Sequence, residues 1–297
     1  MVASDRFFLK IERIIKDENI PEKEKEKIIK SSDLKLINSL ANKELSISET
    51  AEELALDAME ILQKDEIFSD DIDEAQKLVF KSLKMDPDCL WAYEPLIWLT
   101  FQKPVRMQMI ERGIKIGEKK FGGEFEKMWE GEFYQKVSTR PYIRLLNMKL
   151  SEHWKILEVT KGIETGEKIL RLNPNDNLGA RDILQLMYLF SNRLDDFYTI
   201  WEKYKDDYSA AHYYNEALYW YMVNGDSEDA DIAMLEALEF NPWVIDFLTR
   251  KEKLSDYDDD FSAYDPREFE GAIVYSKIAL KAWWKVVGIQ KWLKSFY

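Results

Sequence analysis

Ile169-Leu170-Arg171-Leu172-Asn173-Pro174, continued by Asn175-Asp176-Asn177, decides the fold, because its order returns at two other places in the chain. Ser82-Leu83-Lys84-Met85-Asp86-Pro87 and Ala237-Leu238-Glu239-Phe240-Asn241-Pro242 end in the same apolar, charged, apolar, Asx, Pro order. Proline has no amide proton and clashes with the preceding turn, so each Asx-Pro stops a helix, and the polar residues behind it cap the next one. These stretches therefore read as the ends of stacked helix pairs.

Working outward, Pro174 and Pro242 lie 68 residues apart, twice the ~34 residues of a tetratricopeptide unit. Residues 211–244 fit that unit best. Tyr214, Ala217, Leu218 and Tyr221 fall on its first helix, Gly225-Asp226 makes its turn, and Ala230, Met234 and Ala237 precede Pro242. Small residues in the second helix let two helices approach closely, with the apolar ones filling the seam. Residues 177–210 form a degenerate unit with Tyr208 in place of proline, and 143–176 form another with Leu146, Leu150, Gly162, Ile169 and Pro174. Earlier, Ala75, Val79, Ser82 and Pro87 mark a second helix. The interval from Pro87 to Pro174 breaks the period, which places an insertion at 117–139 around Gly122-Gly123.

The flanks are helical as well. Phe7, Phe8, Ile11, Ile14 and Ile15 have helical spacing, Pro21 opens a charged helix, and Leu34 to Leu40 reads as a short one. Ser46-x-x-Glu49 is a capping box for a helix to about Gln63. The phrase Leu45 to Leu54 has a helix-turn-helix cadence, but the helix after it is acidic where a recognition helix carries base-reading side chains. The expected organisation is a helical extension over 1–66, a repeat array over 67–254, and an acidic loop with a capping helix over 255–297. The fold class is all-α, a right-handed solenoid of antiparallel helix pairs.

Composition bounds the function. With 56 Asp and Glu against 42 Lys and Arg, the net charge is −14, which opposes nucleic-acid backbones. The single cysteine, Cys89, excludes an internal disulfide and a Cys-based zinc site, and fits a reducing compartment. No apolar run is long enough to span a membrane and Met1 to Lys10 is not a signal peptide, so the expected location is cytoplasmic. Only two histidines occur, and neither His153 nor His212 sits in a metal-binding spacing. Phosphate-cradling loops and nucleophile motifs are absent, and no cofactor is implied. Asp256-x-Asp258-x-Asp260 starts like a calcium loop, but Phe261 replaces its glycine and Arg267 its bidentate glutamate, so it reads as a solvated acidic loop.

Residues from about 70 to 297 resemble bacterial tetratricopeptide-like proteins related to the suppressor of tumorigenicity seven family. The resemblance rests on Met85 to Cys89, Thr139-Arg140-Pro141-Tyr142, Arg171 to Asn177 with Gly179 and Arg181, Gly225-Asp226-Ser227 with Ala230, and Asn241-Pro242. It implies an all-helical repeat fold without an established activity. The membrane association of the eukaryotic relatives does not carry over, and Phe247-Leu248-Thr249 replaces the usual Leu-Leu-Gly run.

In such repeats, set positions of each first helix face a concave groove. Here those positions are Arg144, Asn147 and Trp154, then Arg181, Gln185 and Tyr188, then Asn215 and Tyr219. An Arg/Asn/Tyr surface suits a peptide or protein partner, above all one offering a carboxylate. The expected function is a non-catalytic scaffold. The alternatives are an enzyme or enzyme subunit with a site in the 117–139 insertion, and a DNA-linked regulator using the N-terminal region. The last stretch, Lys277 to Tyr297, has five lysines and no acid beside an apolar side. It could lie on an anionic membrane or in a partner's groove, but the expectation is that it closes the array with its lysines toward the protein's own acidic surface.

Overall fold

The computed structural model describes residues 2–31, 37, 40, 45–64, 66–257 and 264–297. Among them every regular element is a helix and there is no strand. The chain divides into two compact units, Met1–Glu152 with Lys168–Leu178, and His153–Glu167 with Gly179–Tyr297. This division differs from the tripartite one expected from the sequence. Most of the short helix expected at Leu34 to Leu40 lies outside the described residues.

The first unit opens with α1 (Val2–Lys16) and α2 (Glu22–Ser31). The capping box starts α3 (Ile47–Leu62): Ser46 Oγ accepts the Glu49 amide at 3.2 Å, and the Glu49 carboxylate accepts the Ser46 amide at 2.8 Å. Its partner α4 (Ser69–Met85) meets it at Ala58, Ala75 and Val79, all inaccessible to solvent. Buried Ser82 donates to the Ala51 carbonyl at 2.7 Å, which leaves no polar group stranded in that seam. The Asp-Pro stop works as read. Asp86 donates its amide to Ser82 O, and its carboxylate accepts the Asp88 amide at 2.9 Å, turning the chain past Pro87.

After α5 (Tyr93–Trp98) comes α6 (Lys103–Phe121), with Pro104 in its first turn. Gly113 and Gly117 lie one turn apart on α6. A β-carbon there would fall 2.6 Å from Leu145 and 2.2 Å from Tyr142, so only glycine permits this approach. The expected insertion begins within α6 and continues through Gly123, at φ +63°, into α7 (Glu124–Met128). Its role here is packing. Phe121, Phe125 and Phe133 form a ring cluster with Tyr142, the first helical turn of α8 (Arg140–Lys155). Phe133 also donates its amide, at 3.1 Å, to the Leu172 carbonyl at the end of α9 (Val159–Leu172). That bond satisfies a helix-end acceptor that proline prevents the next residues from covering.

The second unit repeats the close-packing device, since β-carbons at Gly162 and Gly166 of α9 would meet Met187 at 2.2 Å and Leu184 at 3.1 Å on α10 (Ala180–Phe190). After α11 (Leu194–Lys203) comes the best-fitting pair, α12 (Ala210–Asn224) and α13 (Glu228–Phe240). Ser209 and Ser227 cap their N-termini, Gly225 turns between them at φ +70°, and Ala217, Ala230, Met234 and Ala237 are wholly buried. Asn241 stops α13 and does more than cap it. Its side chain accepts the Trp243 amide at 3.0 Å and donates to the Pro266 and Glu268 carbonyls at 2.8 and 2.9 Å.

Beyond α14 (Val244–Leu248), the capping segment begins with helix α15 (Phe269–Lys285). It does not run to the end: Gly288, at φ +83°, separates it from α16 (Ile289–Leu293). Helix α15 packs against α10, α12 and α14, with Trp283, Ser276 and Ala279 fully buried.

Candidate functional site

The eight residues expected to line a groove are mostly not open to a ligand. In the first unit Arg144 is only 5% exposed. Its guanidinium pairs with the Asp5 carboxylate of α1 and, at 3.3 Å, with Glu94 of α5. Burial opposes its charge, but Glu94 and Asp5 together hold its pKa above the ordinary arginine value. Burial pushes Glu94 up, against the pull of Arg144. Arg140, one turn earlier on α8, joins the same carboxylate at 2.6 Å. The carboxylate expected of a ligand is therefore supplied by the chain itself. Asn147 donates to the Leu178 carbonyl at 3.4 Å.

In the second unit Arg181 holds Asp207 through two bonds, at 2.7 and 3.1 Å, instead of facing a partner. Gln185 and Asn215 are brought together: the Asn215 amide donates to Gln185 at 3.0 Å, and its carbonyl oxygen accepts from the Tyr275 hydroxyl of α15 at 2.9 Å. Tyr275 in turn accepts from the Trp283 indole at 2.9 Å, so a buried chain of donors and acceptors runs from α15 into α12 and α10. Each polar group is matched in this sequence of bonds, which fixes the register of α15 on those helices. Trp154 donates its indole N–H to the Ile278 carbonyl of α15 at 2.7 Å. Tyr188 donates to Glu167 at 2.8 Å, and burial, then that carboxylate, raises its pKa. Tyr219 stacks on Phe197 at 5.0 Å between ring centres. The groove set thus divides between the two units, and much of its second-unit part is the seat of α15.

The lysines of α15 differ from expectation too. Lys281 donates to the Trp154 and Lys155 carbonyls, at 3.2 and 2.7 Å, and Lys285 to the Phe190 carbonyl. These are the C-terminal carbonyls of α8 and α10, where unpaired acceptors and the helix dipole attract a cation. Lys281 and Lys285 thus cap helix ends, where the sequence reading turns them toward acidic side chains.

Sequence reasoning missed the charged setting of α1. Arg6 reaches Asp57, Glu60 and Glu53 of α3 at 2.7, 3.4 and 3.7 Å. Arg13 reaches Glu52 and Glu53 at 2.7 Å and Glu49 at 3.8 Å. The acids that made the Leu45 to Leu54 phrase a poor DNA reader are thus the partners of α1. Glu12 accepts from Lys16 at 2.9 Å and from the Ser138 amide and hydroxyl at 3.0 and 2.8 Å; burial opposes its charge, but Lys16 and then Ser138 hold its carboxyl below the usual range. The signal lay in the repeat of Asp5-Arg6 as Glu12-Arg13, two helical turns on.

Other candidates have local partners. His153 meets Glu158 at 2.8 Å, and His212 stacks on Trp201 with its pKa lowered by burial. Asp258, Asp260 and Phe261 of the calcium-like stretch lie outside the described residues, and Arg267 forks onto Asp265. Among the described residues no group of three His, Cys, Asp or Glu is placed to hold a metal, and no helix is long and apolar enough to cross a membrane. No protein-family model matches the chain, and no curated protein or solved structure matches it.

Proposed function

We propose that the chain is a tetratricopeptide-like, right-handed helical repeat scaffold that binds a protein or peptide partner in the cytoplasm and carries out no chemistry itself. The observation that carries this reading is that first helices of the repeat pairs are used to seat other helices. In the first unit α8 receives α1 through Asp5, and in the second α10 and α12 receive α15 through Tyr275. Helix-in-groove recognition uses such faces, with apolar anchors for area and charged pairs for register. The apolar side of α15 is engaged inside its own unit, which favours a structural cap over a membrane anchor. Arg140 and Arg144 are the carboxylate-binding pair of the proposal.

The test is selection from a phage-displayed peptide library on the immobilised full-length chain. The reading expects enrichment of helical sequences bearing acidic residues, with enrichment reduced on the Arg140→Ala, Arg144→Ala variant. Recovery of no sequence above background would defeat it.

A further inference from the structure

The contacts of α1 are laid out in two rows. Along one side its acids face α8 and the turn before it, with Asp5 on Arg140 and Arg144 and Glu12 on Ser138. Along the other its arginines face the acids of α3, with Arg6 on Asp57 and Arg13 on Glu52 and Glu53. Seven residues make two turns, so the two acid–arginine pairs share the same faces of α1, although Asp5 meets two arginines and Glu12 meets Ser138 and Lys16 of its own helix. Leu9, four residues from Asp5 and four from Arg13, is buried between them.

The apolar side of α1 serves two clusters, and its Phe7, Ile11 and Ile14 pack with Ile20 and with Ile28 of α2. Of the cluster beneath, α1 contributes Val2 and Leu9, whereas Ala51, Ala55, Leu56 and Met59 come from α3 and Trp91 from the turn before α5. Those members all belong to elements other than α1. To this seat α1 also supplies charge: without Asp5, Arg144 keeps only Glu94, at 3.3 Å, and Arg140 loses the carboxylate it meets at 2.6 Å. A buried guanidinium without its partner is strongly unfavourable, so the seat demands an acid from whichever helix lies in it. Charged walls of opposite sign select the register and identity of that helix more than they add affinity.

Resting on the scaffold reading above, we propose that this trough is an exchangeable helix-binding site. Helix α1 occupies it in cis, and the partner that displaces α1 is an amphipathic helix with two acid–arginine pairs seven residues apart. The arrangement makes α1 an internal competitor that sets the apparent affinity for such a partner, since the site is available only to the extent that α1 has left it.

The experiment measures fluorescence anisotropy of a labelled peptide of residues 2–17 added to the full-length chain and to its Arg13→Glu variant, in which α1 meets like charges on α3. The peptide, keeping its own arginine, should bind the variant at least about tenfold more tightly than the unaltered chain. Adding Arg144→Ala should remove at least about tenfold of that gain. Leu9→Ala, which loosens α1 without touching the charges, decides the matter if Arg13→Glu does not fold. Equal peptide affinity in the unaltered and loosened chains, with helical circular dichroism intact, overturns the proposal. So does a concentration-dependent dimer abolished by Arg144→Ala, because a second copy's α1 would then be the occupant. Library enrichment elsewhere on the chain, with no peptide gain, sinks this inference alone and leaves the scaffold reading standing.

Discussion

Helix α1 is seated on α3 and α8, and helix α15 on α10, α12 and α14, by different forces. The polar contacts of α1, around buried Val2, Leu9 and Ile14, are mostly ion pairs: Arg6 and Arg13, with side chains 25% and 15% exposed, lie within reach of solvent, whereas Asp5 with Arg144 is deeply buried. Helix α15 is held by wholly buried rings, by a matched chain of neutral hydrogen bonds, and by lysines on helix-end carbonyls. Exposed ion pairs contribute up to ~1 kcal/mol each, whereas burying one large side chain contributes about 1.5–3 kcal/mol. On the proposal above, the difference makes one seat permanent and the other conditional.

The largest expected effect tests the permanent seat. Trp283→Ala removes the largest wholly buried side chain of α15 and one of the two hydrogen bonds of the Tyr275 hydroxyl, so it should destabilise the chain by about 3–5 kcal/mol. The measurement is urea unfolding followed by circular dichroism. A loss below ~1 kcal/mol would break the comparison, because α15 would then be no more firmly held than α1.

Next in size is Asn241→Ala. Read from the sequence, Asn241 is a helix stop whose replacement costs about 1 kcal/mol. In the structure its side chain also ties the chain at Pro266 and Glu268, which lead into α15. Leaving those carbonyls and the Trp243 amide without a partner raises the expected cost to about 2–3 kcal/mol in the same assay.

These two residues show what was legible in advance. Helix pairs, capping serines and the Asx-Pro stops could be read because each depends on residues within a few positions, as at Ser227 and Ala230 or Asp86 and Asp88. The small-residue seam at Ala230, Met234 and Ala237 followed from repeat spacing. What occupies the first-helix faces could not be read, because Asp5 meets Arg144 across 139 positions and Tyr275 meets Asn215 across 60. Pattern assigned Arg144 a carboxylate without saying whose. The acidic face of α3 likewise looked like solvated charge until α1 supplied Arg6 and Arg13.

The smallest expected effect sharpens the contrast between the seats directly. Raising sodium chloride from about 0.05 to about 0.5 M shortens the Debye length from roughly 14 Å to roughly 4 Å, which screens exposed pairs and leaves buried ones nearly untouched. The contacts of Arg6 and Arg13 are half-buried and partly open to ions, while those of Trp283 and Tyr275 carry no net charge to screen. Amide hydrogen exchange over α1 should therefore accelerate severalfold, equivalent to about 1 kcal/mol, while exchange over α15 stays unchanged. The Asp5–Arg144 pair sets the ceiling on that acceleration, being too buried for ions to reach, so Asp5→Asn should enlarge the salt response of α1 and not that of α15. If both helices respond alike, charge is not what distinguishes the two seats, and the conditional character assigned to α1 goes with it.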